Sequence, residues 1–268
     1  MKIVYAIISF ATLLAGTATA RAQLYCAGEK LEYTVSYRAK LFPNTDAATA
    51  TVETSLDTLD GRTVYKVACR GRMIPTYRWF FDIDDRYTIY ADTSTLETQR
   101  FEGEIREGSY RKNSTFEYDR RQMVSRNTWV KRDGAVRTRT LDITPQSMDA
   151  ISLFFNMRGI DTETFGPDDE GHLQMMLEDT IRTLRYRFIG RETKRIGRLG
   201  KFRTLKFACQ IGTQDAFSFT DGSEFFIWIS DDRNKVPLWL ESPIRVGSIC
   251  ARLSSCKGLK YPMESKTK

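Results

Sequence analysis

Histidine is almost missing from this 268-residue chain. Its one copy, His172, follows the polar stretch Gly166-Pro167-Asp168-Asp169-Glu170-Gly171 and reads as an ordinary surface side chain of a loop. A single imidazole excludes every site that needs two. It also leaves the serines with one candidate histidine base, and no Gly-x-Ser-x-Gly elbow is present. Histidine, cysteine and carboxylates nowhere cluster at metal-ligand spacing, and no cofactor is implied. Cysteines number five, at positions 26, 69, 209, 250 and 256. An odd, sparse set excludes a disulfide framework. One bridge between Cys26 and Cys256 is a candidate, with Cys250 as a substitute partner, because terminal strands meet when a sheet closes. Free buried thiols are the alternative. Cys69 and Cys209 fall on apolar strand faces, where a thiol is a poor nucleophile. No Pro- or Ser-rich linker divides the chain. After residue 22 no apolar run approaches the roughly 20 residues of a membrane-spanning helix.

What stands at the start is a secretory signal pattern. Met1-Lys2 is positive, Ile3 to Ala15 is mostly apolar, and Ala18-Thr19-Ala20-Arg21-Ala22 offers small residues at cleavage spacing. Cleavage after Ala20 or Ala22 fits, and Ala22 is preferred because Ala20 and Ala22 then fill both small-residue positions. Residues 1–22 are therefore expected to be removed. Residues 23–258 are expected to form one β-rich domain, and 259–268 a polar tail. Cys26 follows closely, but the bulky Tyr25 before it fits a lipid-attachment site poorly. The expected product is soluble and exported to a periplasm or cell envelope, without a lipid anchor. Lys2 and Arg21 leave with the signal, lowering the net charge from +7 by two. A modest positive balance suits contact with anionic lipid or acidic glycan, and export argues against nucleic acid. A chain of this size buries roughly 70–75% of its unfolded surface and needs no disulfide staple.

Period-two alternation dominates the rest. Tyr33, Val35 and Tyr37 share one face of Leu31–Arg38, with Thr34, Ser36 and Arg38 on the other, the mark of a half-buried strand. Ala48–Leu56 and Thr63–Arg70 continue the pattern around Asp60-Gly61, a hairpin turn. Further strands are expected at Trp79–Ile83, Arg86–Ala91, Gln99–Glu104, Tyr110–Tyr118, Gln122–Val130 and Ala135–Leu141. After a break they resume at Leu173–Leu177, Arg182–Glu192, Phe202–Gln210, Phe225–Ser230, Val236–Glu241 and Ile244–Leu253. One helix lies between the two series. Thr144 can cap it, Pro145 suits its first position, and Met148, Ile151, Phe154 and Phe155 form its apolar face. Arg158 and Gly159 suit its end. The fold class is mainly β: an antiparallel barrel-like or strongly curved sheet with one central helix packed on it. Gly61–Cys69 echoes Gly200–Cys209, which reads either as the common look of hairpins or as two related β halves.

The order of these segments resembles the exported bacterial proteins of domain-of-unknown-function family 3108. The resemblance rests on Gly28-Glu29-Lys30-Leu31-Glu32-Tyr33-Thr34-Val35-Ser36-Tyr37, on Asp149-Ala150-Ile151-Ser152-Leu153-Phe154-Phe155-Asn156-Met157-Arg158, on Phe226 to Leu238 and on Arg245-Val246-Gly247-Ser248-Ile249. It implies a barrel-like antiparallel fold similar to that of a capsule-associated envelope lipoprotein, and no catalytic residues.

Candidate ligand-binding residues follow from the patterns. Tyr33, Tyr37, Trp79 and Phe81 could line an apolar cavity if the sheet curls. Arg185 and Arg187, on one face of a strand, could hold phosphates or an acidic glycan; a solvated strand face is the plain alternative. Asp84-Asp85 and Asp231-Asp232 raise the question of a glycosidase. Adjacent strand residues face opposite ways, so one acid from each pair would have to converge; both pairs read more simply as turns. The function expected is non-catalytic binding of a lipid or glycan in the cell envelope. A scaffold that binds other envelope proteins is the first alternative, and a hydrolase using convergent Asp residues the second.

Overall fold

The structure, a computed structural model, describes residues 25–39, 42–159, 161–212, 224–244 and 247–267. The expected signal segment lies outside the described residues. The first strands are β1 (Lys30–Ala39), β2 (Phe42–Leu59), β3 (Arg62–Met73), β4 (Asp84–Asp92), β5 (Thr98–Glu107), β6 (Tyr110–Asp119), β7 (Val124–Lys131) and β8 (Val136–Asp142). Then come β9 (Ser147–Met148), helix α1 (Ala150–Asn156), β10 (Glu170–Met176), β11 (Ile181–Ile196) and β12 (Gly200–Ile211). β13 (Phe225–Ser230), β14 (Pro237–Pro243), β15 (Ser248–Lys257) and β16 (Lys266–Thr267) complete the set. They make one sheet in the order β8-β7-β6-β5-β4-β3-β2-β1-β15-β14-β13-β12-β11-β10-β9, with β16 beside β12. Every pairing is antiparallel except β9 with β10.

The curl of this sheet follows from one connection. β8 and β9 lie at opposite ends of the strand order, yet only residues 143–146 separate them. Four residues and their flanking bonds span at most about 17 Å. The two ends must therefore come together, and the sheet bends into an unclosed barrel. Side chains stitch the seam where a backbone ladder is missing. Asn127 Nδ2 donates to the carbonyls of Leu177 and Glu178 at 3.0 and 3.1 Å. Lys112, 4% exposed, pairs with Glu178. Tyr118 Oη donates to Asp149 at 3.0 Å.

α1 lies inside the curl. Ile151 to Phe155 are all buried. Phe154 and Phe155 join the core that includes Leu31, Val67 and Ile89, while Leu153 joins the one that includes Leu184, Phe207 and Ile229. A helix apolar on all sides belongs in an interior. It starts later than Thr144. Asp149 is the cap, accepting the N–H groups of Ile151 and Ser152 at 2.9 Å each. Thr144 and Ser147 instead bond to each other in a turn, because a hydroxyl beside Pro145 satisfies a turn as readily as a helix start.

Two further expectations, the strand at Trp79–Ile83 and the loop around His172, are corrected. Trp79–Ile83 is not a strand. Pro75–Tyr77 forms a 3₁₀ turn, and only Ile83 makes a bridge, to Glu107. Residues 259–267, expected as a polar tail, lie against the sheet. Leu259 and Met263 pack on the core, and Lys266–Thr267 pair with β12. His172 lies in β10 opposite Arg185, on the surface rather than in a loop. The Asp60-Gly61 turn is as read, with φ of 48° and 77° at its two positions.

One ion pair ties distant parts of the chain together. Arg158, just after α1, donates to both oxygens of Glu29 at 2.6 and 2.8 Å and through Nε to the Asn234 carbonyl at 2.8 Å. Glu29 is 2% and Arg158 5% exposed. Removing one member leaves the other charge buried and alone, which costs about 3–5 kcal/mol. Arg158→Met should therefore lower the urea midpoint by that equivalent, and the double variant Glu29→Leu/Arg158→Met should recover much of the loss. A single variant within about 1 kcal/mol of the parent would show that the pair is not a buried charge couple.

Candidate ligand-binding cavity

A cavity lies inside the curl, between the strands around β1 and one side of α1. Its origin is a row of small side chains. Tyr33, Ala50, Gly71 and Asp85 are neighbours across β1, β2, β3 and β4, so all four point inward from one line of the pleat. Ala48 and Ala251 add to the same gap. Ile151 and Phe154 roof it from the helix, and Ile227 and Leu240 close the far side. Too little side-chain volume reaches the centre, and a void of ≈ 100 Å³ remains. A Cβ built on Gly71 would meet nothing within 4 Å.

The walls are almost wholly apolar, with one exception at the β3–β4 edge. Asp85 is 1% exposed. Its Oδ1 accepts the Arg106 N–H at 2.8 Å, while Oδ2 has no donor. Burial pushes its pKa up from 3.8 to about 6, and the nearby Glu107 carboxylate adds to the rise. Asp84, one residue earlier, faces the other way. It receives two hydrogen bonds from Arg70 at 2.7 Å, which hold its pKa down at about 2. Adjacent acids on one strand thus sit in opposite environments, as the alternation of a strand requires.

The expected site residues do not converge. Tyr33 lines the cavity, and its hydroxyl donates to the Pro237 carbonyl at 3.1 Å. Tyr37 lies further along the same face, half-buried against the neighbouring core. Trp79 and Phe81 do not line it; they are 84% and 40% exposed. Arg185 and Arg187 lie on the other face of β11 from the buried Leu184, Tyr186 and Phe188, and Arg187 pairs with Asp168 at 2.9 Å. Of the paired acids, Asp84-Asp85 open β4 rather than form a turn. Asp231-Asp232 do sit in a turn, where Asp232 accepts from Ser230 and the Asn234 N–H. Neither of those two lines the cavity. Cys26 and Cys256 are unbridged, as are the other three cysteines. Burial raises the thiol pKa of Cys69, Cys209, Cys250 and Cys256. Among the described residues no group of three His, Cys, Asp or Glu side chains is placed to hold a metal, and no helix is long and apolar enough to cross a membrane. Gly71, Ala48 and Ala50 were the residues that pattern reading passed over, and Asp85 was weighed only as half of an acid pair or turn. The signal for the alanines was there: two small residues on the inward positions of one strand.

A family model described as a protein of unknown function, DUF3108, matches residues 32–254. No curated protein matches the chain. Among solved structures, a beta-barrel-like protein of domain of unknown function DUF1849 from Brucella abortus is similar over 87% of this chain and 98% of its own, at 9% identity and a TM-score of 0.55. A protein from Bacteroides fragilis described as exported, with a YmcC-like fold, covers 87% of this chain and 97% of its own at 10% identity and a TM-score of 0.33. A Parabacteroides distasonis protein described as a lipoprotein covers 87% and 98% at 9% identity, with the same score. The first of these supports the barrel-like fold and nothing beyond it.

Asp85 has a thermodynamic signature. Its folded pKa lies above its unfolded value, so the folded state binds the proton more tightly between about pH 4 and 6. Stability is then highest below pH 4 as far as this group is concerned, and falls as pH rises to about 6. A rise from 3.8 to about 6 corresponds to about 3 kcal/mol at most. Asp85→Asn should unfold at a higher temperature than the parent at pH 7.5 and at nearly the same temperature at pH 4. Equal differences at both pH values would place the carboxyl in water.

Proposed function

Because the chain belongs to the DUF3108 family, whose function is unknown, we propose a role from its own geometry: a non-catalytic, exported cell-envelope protein that binds one amphiphilic lipid. The cavity is the observation that carries this reading. Its walls favour hydrocarbon, and its volume of ≈ 100 Å³ is below the 150 Å³ that accepts benzene. It therefore takes a short apolar segment, such as the end of an acyl chain, rather than a whole lipid. Asp85 Oδ2 offers an acceptor to a single hydroxyl or amine on that ligand.

The geometry weighs against the other readings of the same cavity. A glycan carries many hydroxyls and needs many partners, and this wall supplies few. Glycoside hydrolysis needs two carboxyls about 5–10 Å apart across one sugar. Asp84 faces away from Asp85, and the Asp231-Asp232 turn contributes nothing to the cavity. The export signal, Met1 to Ala22, supports an envelope location.

Native mass spectrometry of the chain purified gently from its own envelope tests this reading. The expected result is an extra mass that organic extraction removes. Gly71→Val should abolish that mass without lowering the melting temperature, because the added side chain enters open space and suits a strand. A bare parent mass, repeated after incubation with a long-chain alcohol, would sink the proposal.

A further inference from the structure

Six large apolar side chains stand exposed among the described residues, and three of them are consecutive: Trp79 at 84%, Phe80 at 80% and Phe81 at 40%. They sit at the tip of the β3–β4 connection. Exposed aromatic triplets are expensive to keep in water, so their arrangement asks for a reason. It is a built arrangement. The Pro75–Tyr77 turn is closed by the Tyr77 N–H to Ile74 at 3.1 Å, and Phe80 and Phe81 donate back to the Tyr77 carbonyl at 3.0 and 3.1 Å. Arg78 grips Asp82 with two hydrogen bonds at 2.7 and 3.0 Å. The Gly108 N–H binds the Asp82 carbonyl at 2.7 Å, and the Phe81 ring lies against Gly108. Phe81 thus anchors the base, and Trp79 and Phe80, edge to face at 6.0 Å, point away from the protein.

Cations surround the base. Arg111 donates to the carbonyls of Gly108 and Tyr110, and Arg132 donates to that of Ser109. Arg72 lies at the end of β3, directly before the connection. Among the described residues, none of these three has a carboxylate within ion-pair distance. Two large exposed aromatics, with arginines behind them that make no ion pair among the described residues, match the depth profile of an anionic bilayer: rings among the upper acyl chains, guanidinium groups at the phosphates.

We propose that the 75–82 connection is a docking knuckle that inserts Trp79 and Phe80 into an anionic phospholipid surface. Two adjacent exposed rings with arginines at their base favour an anionic bilayer over a protein partner. The position adds meaning. Gly71 and Asp85, on the two strands that carry the knuckle, line the cavity, and so does Ile83 immediately after it. The docked protein would hold the rim of its cavity at the membrane. Docking itself stands apart from the cavity reading: it is measured on vesicles, whether or not a lipid enters the void.

The test is sedimentation of the purified chain with vesicles of phosphatidylglycerol and phosphatidylethanolamine, against vesicles of phosphatidylcholine alone. The parent should partition to the anionic vesicles, and Trp79→Ala/Phe80→Ala should do so about tenfold less, with an unchanged melting temperature because both side chains are exposed. Arg111→Gln/Arg132→Gln should weaken binding to anionic vesicles and leave the phosphatidylcholine baseline unmoved. Trp79→Phe should retain binding but lose most of the blue shift of tryptophan emission, since Trp228 and Trp239 are buried and Trp129, in β7, is half-buried away from the tip. A parent that remains in the supernatant, or an alanine variant that sediments like the parent, overturns the proposal. So does a Trp79-dependent protein partner found without vesicle binding.

Discussion

The buried couple of Glu29 and Arg158 is the contact on which the rest of the architecture rests. Glu29 precedes β1, at the centre of the strand order. Arg158 follows the helix that fills the curl, and Asn234 belongs to the β13–β14 turn. Two hydrogen bonds to Glu29 and one to the Asn234 carbonyl leave little room for any other docking of the helix. Asn234 passes the constraint on. Its side chain donates to the carbonyls of Tyr261 and Pro262 and accepts the Tyr261 N–H. The last turn of chain is fixed through the same node. A buried ion pair adds little net stability compared with an apolar packing of equal volume. Its larger effect is that all arrangements without it strand a charge. Three of the four segments that carry the family resemblance, those containing Glu29, Arg158 and Asn234, meet at this point.

The seam is a second consequence of the same geometry. With the helix held inside and the β8–β9 link only four residues long, the two sheet edges face each other. β9 has two residues, too few to supply a ladder, so polar side chains bridge the gap. Their presence makes the inner surface near β6 and β7 polar, with Lys112, Ser114, Ser125 and Asn127 all buried. The inner surface of β1 to β3 needs no such stitching and is mostly apolar, with Val35 and Val67 buried there. The cavity lies on that side for this reason, where Ala50 and Gly71 leave volume that nothing polar claims.

Much of the fold was legible in the sequence because strands announce themselves locally. Alternation at Tyr33, Val35 and Tyr37 and the Asp60-Gly61 turn require no knowledge of neighbours. Misreadings occurred where a local pattern had two solutions. Trp79–Phe81 has the residue types of a strand, but the preceding Pro75 starts a turn whose backbone bonds continue through Phe81. Thr144-Pro145 has the chemistry of a helix start, but Asp149 outcompetes it with two N–H groups and support from Tyr118 and Ser152. The cavity was less legible still. It is made by missing volume on β2, β3 and β15, and their adjacency depends on a register that no local pattern states. The expected ligand residues failed in the same way: aromatic content marked Trp79 and Phe81, but position in the sheet decided that only Tyr33 faces the void.

Asp84 and Asp85 show how far environment outweighs residue type. One is neutralised by Arg70 on the outer side and stays ionised. Its neighbour is buried beside Glu107, and burial pushes its pKa up to about 6. Raised carboxyls of this kind serve as general acids in many enzymes. Catalysis, however, needs a second group and a path for water at the same centre. Here the exposed wall is mostly apolar, Asp85 is the one carboxyl that lines it, and Glu107 lies beside Asp85 rather than across the void. A buried carboxyl on an apolar wall would, under the proposed lipid reading, reward a ligand that brings a donor and penalise one that leaves the carboxyl unpaired. The proposed lipid site and the most exposed aromatic side chains thus lie beside the same two strands.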